Sequence, residues 1–250
     1  MRKPDDREPE HGRSGPAAKA VLTIAKASGP TRGVVLVLHG GRADSYDPVR
    51  GRHLSPARML PFAQSLKTRG GRHGLAVWTL RNRYRGWNGK DQSPVQDARW
   101  ALAHIRRDHP GVPVYLLGHS MGGLTAVSVA DDPQVDAVVA LAPWLSAGTP
   151  VRPVAGRRLL IVHGSDDRWT SPHNSLGYAR RAAGVAASVD YVSLKGAGHF
   201  MIRRVQLWNV LTTGFILDAF GEATGADVAG ATKTLHRILP VAGTRLPVVL

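Results

Sequence analysis

Residues Val34 to Leu38 form an unbroken apolar run, bounded by Gly33 and His39. Side chains of a strand point alternately to its two faces, so a strand of this composition has to be covered on both. That points to a parallel sheet between layers of helix rather than to a half-solvated antiparallel one. Comparable runs recur at Leu75–Leu80, Val114–Leu117, Val135–Leu141, Leu159–Val162 and Val189–Leu194. Val21–Ala27 alternates and reads as an edge strand.

Helical patterns fill the intervals. Ser55-Pro56 reads as a serine N-cap with proline at N1, opening a helix with Met59, Leu60, Ala63 and Leu66 on one side and Gly70-Gly71 as its stop. Ser93-Pro94 opens another, running to about His109; a small-residue helix follows Ser120 as far as Ala130. Pro172–Ala183 and Phe200–Phe220 complete the set. Strands alternating with helices in this way predict a doubly wound α/β fold, a mostly parallel sheet with helices on both faces. The domain is expected over residues 21–220, after a loosely attached, disordered arm over 1–20. Residues 221–250 read as an extension, with Thr234–Leu250 a last helix or strand packing on the domain.

Composition narrows the chemistry. The chain of 250 residues has no cysteine, which excludes disulfides, thiolate metal sites and a thiol nucleophile. The first 20 residues mix charges with prolines and lack an apolar stretch, so they do not read as a secretory signal. Val205–Phe220 contains Asn209 and Asp218 and falls short of the roughly 20 apolar residues a membrane span needs. The expected setting is therefore cytoplasmic. An excess of 33 Lys+Arg over 18 Asp+Glu gives a formal charge of +15, which permits anionic partners but does not bear on fold.

In a doubly wound sheet, functional groups gather at the carboxyl ends of the strands. After Val114–Leu117 comes Gly118-His119-Ser120-Met121-Gly122-Gly123, a G-x-S-x-G sequence between a strand and a helix. In that setting it has the form of a nucleophile elbow, whose glycines let a strained turn lift the serine clear of the sheet at a helix N-terminus. A serine needs a base, and the base an orienting carboxylate, in the chain order Ser, Asp/Glu, His. His163-Gly164-Ser165-Asp166-Asp167 and Gly196-Ala197-Gly198-His199 follow the next suitable strands in that order. Either aspartate satisfies the order alone.

On these motifs, together with His39-Gly40-Gly41, the chain resembles the α/β-hydrolases over about residues 21–220. The resemblance implies a serine hydrolase with Ser120 as nucleophile and His199 as base. It selects Asp167 as the acid, three residues after the glycine of the His-Gly pair, leaving Asp166 solvated or capping its loop. It also implies an oxyanion hole made by the backbone amides of Gly41 and Met121, with Gly41 bare so that substrate can approach. No cofactor or metal is expected. His39 and His163 are expected to be buried structural groups, and His119 to shape the elbow.

Only about 15 residues, Ala142–Gly156, separate Val135–Leu141 from the next strand, too few for a cap domain, so an open, shallow site is expected. Trp144 there either lines the acyl pocket or packs as a cover. The motif and Trp144 are similar to those of cutinase-like polyester hydrolases. The missing cysteines and the His-Gly-Gly in place of an aromatic oxyanion residue depart from them. A small-molecule or acyl-ester substrate is the first reading; acyltransferase, thioesterase, peptidase and polyester hydrolase use the same triad. A non-catalytic binding protein on the same fold is the reading from another class, and a nucleic-acid partner is not expected because no recognition module is present. Arg58, Arg69, Arg99, Arg106, Arg107, Arg180, Arg181, Arg203 and Arg204 are expected on solvated helix faces. Arg42, Arg81, Arg83, Arg85 and Arg168 fall on loops at strand carboxyl ends, where they would make the mouth electropositive and favour acidic esters.

Overall fold

A computed structural model describes residues 18–239 and 246–250. Most of the arm expected over 1–20 therefore lies outside the described residues. Among the described residues eight strands form one sheet: β1 Val21–Ala25, β2 Gly33–Leu38, β3 Leu75–Arg81, β4 Val114–His119, β5 Val135–Leu141, β6 Arg158–Gly164, β7 Ser188–Leu194 and β8 Val248–Val249. Their spatial order is β1-β3-β2-β4-β5-β6-β7-β8. β1 runs antiparallel along β3; all other pairs are parallel. The central strands are buried throughout, and their period-2 alternation sorts them into two cores. Val35, Val37, Tyr115 and Leu117 face one layer, while Val34, Leu36, Leu38 and Leu116 face the other.

The helices are α1 Leu54–Ala57, α2 Leu60–Gly70, α3 Ser93–Asp108, α4 Met121–Ser128, α5 Pro172–Ala182, α6 Val205–Thr224 and α7 Ala229–Ile238. The first core packs under α2 and α6, the second under α3, α4 and α5. Several expectations change. The helix expected from Ser55 is two pieces: α1 starts after His53 without a side-chain cap, and α2 restarts at Leu60-Pro61. Leu60 sits outside the core, 58% exposed. Ser93 is the first residue of α3 rather than its cap; Gln92 precedes it in a left-handed conformation.

The helix expected from Phe200 begins only at Val205, because Met201 (φ 59°) and Arg204 (φ 58°) are left-handed and cannot continue a right-handed helix. α6 is apolar on nearly all sides because it is covered twice, by the sheet and by α7. Gly214 permits that second contact: a Cβ there would stand 2.8 Å from Cβ of Leu235 on α7. Residues after 220 thus form both a helix and a strand. α7 begins earlier than Thr234, and β8 adds in parallel to the outer side of β7. Among the described residues no helix is long and apolar enough to cross a membrane.

Candidate active site

Ser120 sits between β4 and α4 with φ 56° and ψ −118°, a backbone conformation that non-glycine residues adopt only where the surroundings enforce it. The enforcement is visible. The Ser120 amide donates to the Leu141 carbonyl (3.0 Å), and the Ser120 carbonyl accepts from the Trp144 amide (3.0 Å). A Cβ on Gly118 would collide with the Gly122 carbonyl, and one on Gly122 with the carbonyls of Leu38 and His39. The glycines of the motif are what allow α4 to leave the sheet so steeply. Met121 follows at the first turn of α4, where helix amides have no intrahelical partner.

Asp167 and His199 come from the loops after β6 and β7 and meet at Ser120. His199 Nε2 lies 3.1 Å from Ser120 Oγ, and its Nδ1 lies 2.8 Å from Asp167 Oδ2. The two loops are tied to each other: the Asp166 amide donates to the Ala197 carbonyl (2.9 Å), and the Gly196 amide to Ser165 Oγ (2.9 Å). Burial disfavours the Asp167 carboxylate, but bonds from His163, His199 and the amides of Thr170 and Trp169 outweigh it and hold its pKa far below the usual carboxylate range. It is therefore an acceptor at every pH of interest, which fixes the proton of His199 on Nδ1 and leaves Nε2 to face Ser120. Asp166 points away; it is exposed and accepts from its neighbour Ser165.

The same reasoning assigns the other histidines. His163 is fully buried with Nε2 3.1 Å from Asp167 Oδ2, so it donates there and accepts at Nδ1 from Ser175 Oγ (2.9 Å). His119 donates from Nε2 to the His199 carbonyl (2.9 Å). Burial, with the nearby His199, lowers its pKa to about 3, so its ring stays neutral. His39 accepts the Asn82 amide at Nε2 (3.2 Å) and donates from Nδ1 to the Gly40 carbonyl (2.7 Å), with burial lowering its pKa to about 4. It thereby fixes the turn that carries Gly41. A Cβ on Gly41 would strike the Arg85 carbonyl and the Met121 thioether, whose Sδ would be 2.6 Å away. The expectation that Gly41 is bare for the sake of substrate is corrected: protein atoms fill that space.

Above Ser120 lies a cleft of about 780 Å³, and among the described residues no cap domain covers it. One wall is the segment between β2 and α2, which supplies Arg42, Val49, Arg52, His53, Leu54, Pro56 and Arg58. The other carries Trp144, Trp169 and Phe200. Trp144 is a lining residue, set edge-on to Trp87 at 6.4 Å. Of the five arginines expected at the mouth, Arg42 and Arg85 line the cleft. Arg81 and Arg83 instead brace its wall. Arg81 Nη1 donates to the Val49 carbonyl (2.8 Å), and Arg83 Nε to the buried Asp97 (2.5 Å). Arg168 is exposed outside the lining. Arg58, expected on a solvated face, turns inward and lies over the Phe200 ring at 4.7 Å.

Sequence reasoning missed His163 as a partner of Asp167, and with it Thr170, whose Oγ1 is 2.9 Å from Asp167 Oδ2. It also missed Trp169 and Phe200, although aromatic residues that close to Asp167 and His199 were a readable signal.

Comparison with known proteins agrees with this architecture. A family model described as serine aminopeptidase, S33, matches residues 71–159, a stretch that holds Ser120 and ends before Asp167 and His199. No curated protein matches the chain by sequence. Among solved structures, an α/β-hydrolase-type protein of unknown function from Agrobacterium tumefaciens is 16% identical, with a TM-score of 0.65 over 84% of this chain and 95% of that one. Thermogutta terrifontis esterase 2, phosphonylated by sarin, is 17% identical with a TM-score of 0.62 over 83% and 91%. A serine hydrolase without a lid from Xanthomonas campestris is 15% identical, with a TM-score of 0.55 over 84% and 89%. With its doubly wound sheet, its serine turn after the fourth strand and no sizeable cap domain among the described residues, the chain has the fold of the α/β-hydrolase superfamily.

Proposed function

We propose that the protein is a serine hydrolase that cleaves carboxylic esters through an acyl-enzyme. The observation that carries this reading is the unbroken chain from Ser120 Oγ through His199 (3.1 Å) to Asp167 (2.8 Å) at the floor of an open cleft. Ser120 Oγ attacks the ester carbonyl as His199 Nε2 takes its proton, and Asp167 stabilises the imidazolium. The amides of Gly41 and Met121 receive the oxyanion. His199 returns the proton to the leaving alcohol, and water then releases the acid by the same steps. Arg42 and Trp144 contact the bound substrate.

The match to a family described as serine aminopeptidase favours a peptidase as the second reading. Capture of a free α-ammonium needs an acidic partner, and no Asp or Glu lines the cleft among the described residues, which weighs towards esters. Activity on a short p-nitrophenyl ester, and a fluorophosphonate adduct on the Ser120 peptide, test the proposal. Folded protein that hydrolyses no ester and leaves Ser120 unlabelled would refute it.

A further inference from the structure

The wall between β2 and α2 is built, not draped. Its residues 42–49 pair with 83–88 after β3: the Arg42 amide donates to the Arg85 carbonyl (2.8 Å), Arg85 to Asp47 (3.0 Å), Gly86 to Ser45 (2.9 Å), Trp87 to Arg42 (2.9 Å) and Val49 to Arg83 (3.1 Å). Arg81 and Arg83 lock it from behind, as described above. On this scaffold stand Arg42, Arg52 and Arg85, with Arg58 on the following turn, all lining the cleft that holds Ser120. Arg42, Arg52 and Arg58 have no acidic partner among the described residues. Arg85 reaches only the exposed Asp47, at 3.9 Å. His53, among them, is held below its ordinary pKa by burial and by the charges of Arg85, Arg52, Arg50 and Arg42. Four guanidiniums against apolar and aromatic lining, answered only by the exposed Asp47 beside Arg85, leave the cleft short of negative charge.

Resting on the serine-hydrolase reading, we infer that the substrate carries, besides its scissile ester, an ionised acid group bound by Arg42, Arg52, Arg58 and Arg85. Its apolar body faces Trp144, Trp169 and Phe200. Guanidinium groups pair with carboxylate and phosphate oxygens in forked geometry, and such charge-assisted bonds are the strong ones. A cleft of about 780 Å³ suits a single small ester of this kind.

Matched substrate pairs test this. The acyl side is read by mono-4-nitrophenyl adipate against 4-nitrophenyl hexanoate, and the alcohol side by 4-acetoxybenzoate against its methyl ester. 4-Acetoxyphenyl phosphate against phenyl acetate separates phosphate from carboxylate. Each kcat/KM is divided by the rate of hydroxide hydrolysis. The inference expects the anionic member to be favoured about tenfold or more in at least one pair, with the preference shrinking as salt is raised. In the double variant Arg42→Gln/Arg52→Gln, two exposed positions whose loss leaves the core intact, the ratio falls by about tenfold. Arg180→Gln, exposed on α5, leaves the ratio in place. Hydrolysis of the neutral esters with no anionic preference in any pair, or a ratio unchanged in the double variant, overturns the inference while leaving the serine-hydrolase reading standing. No hydrolysis of any ester together with an unlabelled Ser120 overturns both.

Discussion

His163 Nε2 stands 3.1 Å from Asp167 Oδ2, the same oxygen that His199 Nδ1 approaches at 2.8 Å. One carboxylate oxygen thus serves two imidazoles, one facing Ser120 and the other sealed in the core. The buried ring holds the carboxylate ionised and in place. His163→Phe is expected to lower kcat by about 10–100-fold, the worth of a hydrogen bond to a charged group, with little change in KM. His163→Gln, which can still donate to Asp167, should recover part of the loss. Steady-state kinetics of both variants checks this; equal effects on kcat and KM would assign His163 a purely structural part.

Gly41→Ala should be costly out of proportion to a methyl group. The new Cβ would meet the Arg85 carbonyl and the Met121 side chain, so the turn carrying the Gly41 amide has to move. Loss of one oxyanion donor costs about 10²–10³ in kcat. Thermal unfolding should show a fall in Tm alongside, since the same shift disturbs the paired loops. Wild-type kcat in this variant would remove Gly41 from the oxyanion hole.

Trp144 offers its ring to the cleft while its amide supports the Ser120 carbonyl. Trp144→Ala keeps the amide and removes only the wall. KM for apolar esters should rise by roughly tenfold, the loss of one buried aromatic contact, with kcat little changed. An equal loss in kcat would mean that the ring helps to orient the reacting carbonyl.

Stability should fall as the solution becomes mildly acidic. Above about pH 6.5 His39 and His119 are neutral in folded and unfolded chains alike. Below that, the unfolded rings take up protons while the folded ones, at about 4 and about 3, do not. The unfolded state then binds more protons, so stability declines from pH 6.5 down to those values, by up to about 1.4 kcal/mol per pH unit for each ring. Asp167 acts in a lower window. Its depressed pKa stabilises the fold above about pH 4, and that contribution is lost on further acidification. Denaturant unfolding at pH 7.5, 6 and 5 reads the upper window, and a flat profile would contradict it. His119→Gln, which keeps a donor for the His199 carbonyl, should reduce the slope.

Sheet and site were legible to different depths. The strands declared themselves because a strand buried on both faces must be apolar at every position, as Val34–Leu38 is. Ser120, Asp167 and His199 were legible because strand ends confine chemistry to a few loops. Helix boundaries were less so: Met201 and Arg204 are left-handed without being glycine, a conformation set by tertiary packing that composition does not signal. The break before α2 left a trace in Pro61, a second proline at a helix start. Arginine side chains were the least legible, since the direction of Arg58 and the burial of Asp97 beneath Arg83 depend on segments distant in sequence.

The order of strands divides the site along β4. Acid and base ride on β6 and β7 to one side; the arginine-bearing wall rides on β2 and β3 to the other. The flanks meet across the cleft where Arg58 lies over the Phe200 ring (4.7 Å). Selectivity and reactivity are therefore separately adjustable. A graft that replaces residues 42–58 together with 83–88 is expected to change which substrates enter the cleft while leaving the hydrogen bonds from Ser120 through His199 to Asp167 in place.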